Sequence, residues 1–291
     1  MSMLRGIDVS HYQGSVNWNS LKTLYDIVWG AAKAGEGMSV KDTQFASNWH
    51  GMKAAGLVRM AYYYAHPGGD PIASADYLLA IVRAQGLEAD DILVMDMESN
   101  PNNLSMADLN NWLARWADHI TKQTGRKPFL YVGSGYISDS ATKDLTQHYA
   151  AWWYPRYPSE YARNTKWPAV ITGYPWTNNW GKPDIWQFSQ SFNNQFDANI
   201  ADMTLADLKT RGLTTKPPEP DMPLNDTDLS KIESIVQRYS AFNAENLRQR
   251  IDDIANAAAR AVDTSLADDF TGVQTAVDAA KAEIEAAIKA P

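Results

Sequence analysis

The chain has 291 residues, 45% of them hydrophobic, no cysteine, and a formal net charge of −8 from 26 Lys and Arg against 34 Asp and Glu. These figures exclude disulfides, thiolate catalysis and Cys-ligated zinc, and they argue against nucleic acid as a partner, because phosphate contacts need clustered Lys and Arg. No stretch of about 18 apolar residues occurs, so membrane insertion is not expected.

The opening stretch MSMLRGIDVSHYQG has one early Arg and lacks an apolar core of roughly 7–15 residues, so it does not read as a secretory signal. Eight short β-rich runs follow: LRGIDVS (4–10), IVWGAAKAG (27–35), LVRMAYYYAH (57–66), DILVMDME (91–98), PFLYVGS (128–134), AAWWYPRY (150–157), PAVITGYP (168–175) and DIWQFSQ (184–190). The gaps after the first five carry helical patterns, among them NWNSLKTLY (17–25) and SMADLNNWLARWADHITKQTG (105–125). The latter opens on a Ser105 and Asp108 capping signature and closes on Gly125. The later gaps are short and rich in Pro, Gly and Asn. Eight strands alternating with helices predict an α/β fold: an irregular (β/α) barrel, helix-poor in its second half. No glycine-rich phosphate loop follows any strand, which removes support for a nucleotide-binding sheet. All 11 Trp lie before residue 190. A domain so rich in aromatic rings packs most of them in its core and offers some as stacking faces, for which sugars are natural ligands.

At TTKPPEPDMPLND (214–226) four prolines in thirteen residues rule out a helix interior or a central strand. This is an extended linker, and it divides a catalytic barrel at 1–213 from a C-terminal module at 227–291. In that module Leu229, Ile232, Tyr239, Leu247, Ile251, Val273, Val277 and Ile284 recur at helical spacing, which predicts a small all-α segment. Its narrow stripes bury little alone, so packing against copies of itself as a homo-oligomer and folding as a small three-helix bundle are both open, with cell-wall targeting as the alternative role.

The run ILVM at 92–95 ends in Asp96 and Glu98. Residues i and i+2 of a strand share a face, so both acids look one way and Met97 the other. At the C-terminal end of a barrel strand that direction is the active face. Mutual repulsion raises the pKa of the less solvated carboxyl, and an acid still protonated near neutral pH can protonate a glycosidic oxygen while an ionised neighbour stabilises the oxocarbenium-like charge. Asp8 closes the first strand and Asp197 follows the last. Each alone reads as a turn or loop residue, but in a closed barrel the first and last strands are neighbours, and the two acids converge on the same mouth.

GIDVSHYQGSVNW (6–18), KAGEG (33–37), MDME (95–98) and IWQFS (185–189), in this order, resemble the family 25 glycoside hydrolases, the Chalaropsis-type lysozymes common among phage endolysins. The resemblance covers about residues 3–210. It implies a flattened (β/α) barrel and hydrolysis of the β-1,4 bond between N-acetylmuramic acid and N-acetylglucosamine in bacterial peptidoglycan. It assigns Glu98 as general acid/base, Asp96 as its partner in stabilising charge or orienting the 2-acetamido group, and Asp8 and Asp197 as further carboxylates of the cleft. Tyr62, Tyr64, Tyr131, Trp186 and Gln187 fall where the family lines its sugar subsites, and Glu36 takes a supporting role. Retention is the stereochemistry usually proposed for the family, by either the substrate's acetamido group or an enzyme nucleophile. Three departures stand out: Tyr63 replaces the family's usual His, AWWYPRY replaces its common Leu-Trp-hydrophobic-Ala, and FDANIAD is looser than its Val-Asp-x-Asn.

No cofactor is expected, and the five His show no metal-binding spacing. Two other readings compete. A chitinase-like hydrolase would use Asp91, Asp96 and Glu98, but Val94 stands where that pattern requires Asp. A non-catalytic peptidoglycan-binding or virion structural protein would not need all four acids. An endolysin is expected to stay in the host cytoplasm until a holin releases it to the wall.

Overall fold

The computed structural model describes residues 3–137, 145–161, 167, 173–175 and 180–214. The elements run in order: β1 (Leu4–Val9), α1 (Trp18–Tyr25), β2 (Trp29–Glu36), β3 (Val40–Lys41), α2 (Phe45–Ala54), β4 (Val58–Tyr64), α3 (Pro71–Arg83), β5 (Ile92–Met97), α4 (Met106–Thr124), β6 (Phe129–Val132), α5 (Ser134–Ile137), β7 (Ala151–Pro155), β8 (Ile185–Phe192), β9 (Phe196–Ala201) and α6 (Leu205–Thr210). The chain divides into two units, 1–220 and 221–291. The second unit, with the predicted helical module, lies outside the described residues, as does all but the first residue of the predicted linker.

Neighbouring strands pair in the order β1-β9-β8-β7-β6-β5-β4-β2, and β1 pairs with β2 to close the ring, with β3 added at the edge of β2. The ring is parallel except for β9, which runs antiparallel to both β8 and β1. Seven of the eight expected strands are present. The run expected at 168–175 lies largely outside the described residues, and 173–175 are not in a strand. The barrel's eighth member is instead β9. Its sequence FDANIA contains Asp, Ala and Asn, which strands disfavour, so its pairing with two neighbours decides its conformation.

Strand alternation sorts side chains into two layers. Inside the ring, Trp29, Met60, Val94, Phe129, Trp153 and Ile185 form one buried cluster. Gly6 is required there, because a Cβ at that position would lie 2.0 Å from the Trp29 ring. Outside, Val9, Ala61, Tyr63, Met95, Met97 and Leu130 pack beneath the helices. The run ILVM of β5 is apolar throughout because every residue is buried on one side or the other. Helix α4 follows its sequence signals: the Ser105 hydroxyl accepts the Asp108 N–H at 3.2 Å, and Gly125 ends the helix at φ 70°. Among the described residues only the short α5 and α6 follow β6 as α-helices. The outer face of β8 and β9 is covered by side chains instead: Trp186, Phe188, Phe192 and Ile200 pack with Tyr161.

Candidate active site

At the C-terminal end of the parallel strands the ring opens into a cleft of about 380 Å³, and all four predicted acids line it. Asp96 is the last inward-facing residue of β5 and is 5% exposed. Glu98, just past the strand, is exposed to solvent. Their carboxyl groups share a hydrogen bond, and Asp96 Oδ1 has no further partner among the described residues. Burial pushes both acids above the ordinary carboxylate range; for Asp96 the charge of Glu98 adds to it, and the Lys33 ammonium opposes the rise at both. Two acids joined by a hydrogen bond retain one proton between them, and desolvation holds it on the deeper one, Asp96.

The opposite wall is built from β1, β8 and β9. Asp8 and Asp197 are direct cross-strand partners in the β1–β9 ladder. Asp8 Oδ2 accepts two N–H bonds, from Gln187 Nε2 at 2.9 Å and from Asn199 Nδ2 at 2.6 Å. Gln187 Oε1 in turn accepts the Tyr131 and Tyr157 hydroxyls at 2.9 and 2.5 Å. The Trp153 indole N–H donates to Asn199 Oδ1 at 2.9 Å. Burial raises the Asp8 acid while the two amides lower it. Asp197 is pushed up to about 9, first by burial and then by the charge of Asp8.

Tyr62, Tyr131 and Gln187 therefore stand in the cleft, as their positions in the strands suggest. Trp186 does not: it is fully buried in the outer cluster, its indole N–H held by the Arg156 carbonyl at 2.7 Å. Adjacent strand residues face opposite ways, so Gln187 and Trp186 cannot both face the cleft. Glu36 and Tyr64 sit beside the mouth. A register shift between Lys33 and Gly35 puts Lys33 opposite Tyr62 and Glu36 opposite Tyr64, so an i,i+3 pair shares one face. Lys33 Nζ then donates to Glu36 Oε2 at 2.5 Å and lies 5.0 Å from the centre of the Tyr64 ring. The departure at Tyr63 falls outside the cleft, since its hydroxyl bonds Gly37 O and Ser74 Oγ, both at 2.7 Å, beneath α3. Asp91 of the chitinase-like reading is buried before β5, at the far end of the strand, in an ion pair with Arg59 at 2.7 Å. Trp153, Tyr157 and Asn199 were not anticipated. Inward parity in β7 points to Trp153 once the barrel is assumed, and Asn199 stands at the Asn of the family's Val-Asp-x-Asn pattern.

The model for glycosyl hydrolases family 25 matches residues 7–195. The chain belongs to that family. The match stops two residues short of Asp197, which β9 places opposite Asp8. Lysozyme M1 of Streptomyces globisporus is 32% identical over 144 residues, 46% of this chain and 48% of its own length. An N,O-diacetylmuramidase of Arthroderma benhamiae is 26% identical over 211 residues, 67% of this chain and 84% of its own. The solved muramidase of Trichobolus zukalii superposes with a TM-score of 0.59 at 26% identity, covering 72% of this chain and 98% of that one. The chain spans about half the length of the first curated relatives it matches, 48% and 56%.

Proposed function

We propose that this family 25 glycosyl hydrolase is an N-acetylmuramidase that cleaves the β-1,4 bond between N-acetylmuramic acid and N-acetylglucosamine in bacterial peptidoglycan. The observation that carries the reading is the pair at the end of β5, an exposed Glu98 hydrogen-bonded to a buried Asp96. Glu98 reaches the glycosidic oxygen from solvent. The proton kept by the pair passes along their hydrogen bond to Glu98 and from there to the leaving oxygen. Asp96 is left ionised beside the positive charge that develops on the sugar. Attack by that acetamido oxygen and attack by an enzyme carboxylate both begin with this step. Water then adds with Glu98 as base, which restores the shared proton. Tyr62 and Tyr131 offer ring faces beside the pair.

The test is clearing of a purified peptidoglycan suspension with release of reducing ends. The unsubstituted chain clears it, and Glu98→Gln, with an unchanged melting curve, loses most of the rate. Faster release from chitin than from peptidoglycan would replace the substrate assignment.

The biological setting we propose is an endolysin released to the wall through a holin, a reading supported by the resemblance of the motifs. Lysis of a bacterial host that requires both this chain and a holin tests it. For residues 227–291 we propose self-association, supported by the narrow apolar stripes of the sequence; a monomeric mass by light scattering would remove it.

A further inference from the structure

The hydrogen-bond polarity of Asn199 beside Asp8 is fixed by a group that can act in only one way. An indole N–H only donates, so the Asn199 atom that meets Trp153 Nε1 is its carbonyl oxygen, and its NH₂ must face Asp8. Gln187 turns its oxygen to two tyrosine hydroxyls and its NH₂ likewise to Asp8. Asp8 Oδ2 thus receives two N–H donors inside a buried wall, an arrangement that favours the carboxylate form.

Asp197 lies directly across the β1–β9 ladder, its side chain hydrogen-bonded to that of Asp8. Ionised carboxylates only accept, so a carboxyl–carboxyl hydrogen bond requires a proton on one side. Among the described residues no N–H reaches the Asp197 carboxyl, and Asn199 Nδ2 meets Asp197 at its backbone oxygen instead, at 3.4 Å. The charged groups acting on Asp197 are Asp8 from β1 and Glu98 after β5. The phenols of Tyr62 on β4 and Tyr157 after β7 face it as neutral groups, both held protonated first by burial and then by the surrounding acids.

We infer that Asp8 and Asp197 share one proton held on Asp197, which makes Asp197 a neutral positioning residue that fixes the Asp8 carboxylate in the cleft. The two walls then each carry one proton and one charge. The single charge on the Asp8 wall faces the sugar from a rigid frame, where it stabilises developing positive charge without reorganising. The substrate part of this inference rests on the muramidase reading, whereas the protonation part stands without it.

An amide at 197 keeps a neutral donor toward Asp8, while an amide at 8 puts N–H groups against the two N–H donors already there. Asp197→Asn therefore lowers turnover of peptidoglycan less than Asp8→Asn does, and Asp8→Asn loses on the order of a hundredfold. Carbon-13 carboxyl NMR on the unsubstituted full chain gives the answer that needs no substrate and no variant. Asp197 stays protonated at neutral pH and titrates at about 9, with Asp8 ionised. Titration of Asp197 in the ordinary range near about 4 would overturn the assignment. So would a proton found on Asp8, or equal losses in the two folded variants. A chain that shows the Asp197 proton but no muramidase activity leaves this inference standing and removes the functional one.

Discussion

Replacing Asn199 with Leu keeps the branching of the side chain but removes its hydrogen bonds to Trp153 and Asp8, together with the longer one to the Asp197 carbonyl. Asn199 is fully buried, so water cannot take over for either the Trp153 N–H at 2.9 Å or the Asp8 carboxylate at 2.6 Å. A buried neutral donor left without a partner costs about 1–3 kcal/mol, and a hydrogen bond to a charged group contributes about 1.5–3 kcal/mol. Their sum is roughly 2.5–6 kcal/mol, and at roughly 2–4 °C per kcal/mol for a domain of this size the melting temperature falls by roughly 5–24 °C. Asp8 also loses one of the two donors that favour its charge, so its acid rises further and the acid limb of the rate profile moves to higher pH. Trp153→Phe is the control, because it frees the Asn199 carbonyl but leaves the bond to Asp8 intact. Calorimetry and pH–rate profiles on both variants give the comparison. An unchanged melting temperature in Asn199→Leu, or the same shift of the rate profile in Trp153→Phe, would refute the reasoning.

The pH dependence of stability has a defined sign. Asp8, Asp96, Glu98 and Asp197 all have folded-state acids raised above their unfolded values, so the fold binds more protons than the unfolded chain. Stability therefore falls as pH rises from about 4 toward about 9, and Asp197→Asn flattens the upper part of that fall, as read from melting temperatures across the range. Lys33→Met removes the cation that lowers both Asp96 and Glu98, which shifts the pair and the pH optimum of turnover upward. An optimum that does not move would show that Lys33 acts only on Glu36. Gly6→Ala drives a Cβ to 2.0 Å from the Trp29 ring, and overpacking of this kind costs about 1–3 kcal/mol, read as a lower denaturant midpoint at constant slope.

Much of the fold was legible because local chemistry and tertiary structure agree. Ser105, Asp108 and Gly125 bound α4 as their residue types demand, and the apolar run before Asp96 is a strand buried on both faces. Asp96 and Glu98 could be set on one face because alternation is a local rule. What the sequence withheld depends on pairing at long range. β9 looks like a loop until β1 and β8 flank it, and Asn199 matters only because the ladder brings it against Asp8, 191 residues away in sequence. Trp186 shows the opposite error, a residue drawn toward the cleft by resemblance although its neighbour Gln187 already occupies the inward direction. The unequal roles of Asp96 and Glu98 came with the family resemblance, and the structure supplies a physical basis in their exposure, which spacing alone does not separate.

In the proposed function Glu98, supplied with a proton by Asp96, cleaves the glycan strand on the reducing side of N-acetylmuramic acid. Mass spectrometry of fragments released from purified peptidoglycan tests it most directly. Fragments from the unsubstituted chain end in reducing muramic acid, and the same digestion with Glu98→Gln yields almost none. Reducing N-acetylglucosamine ends, or undiminished release by Glu98→Gln, would contradict the account.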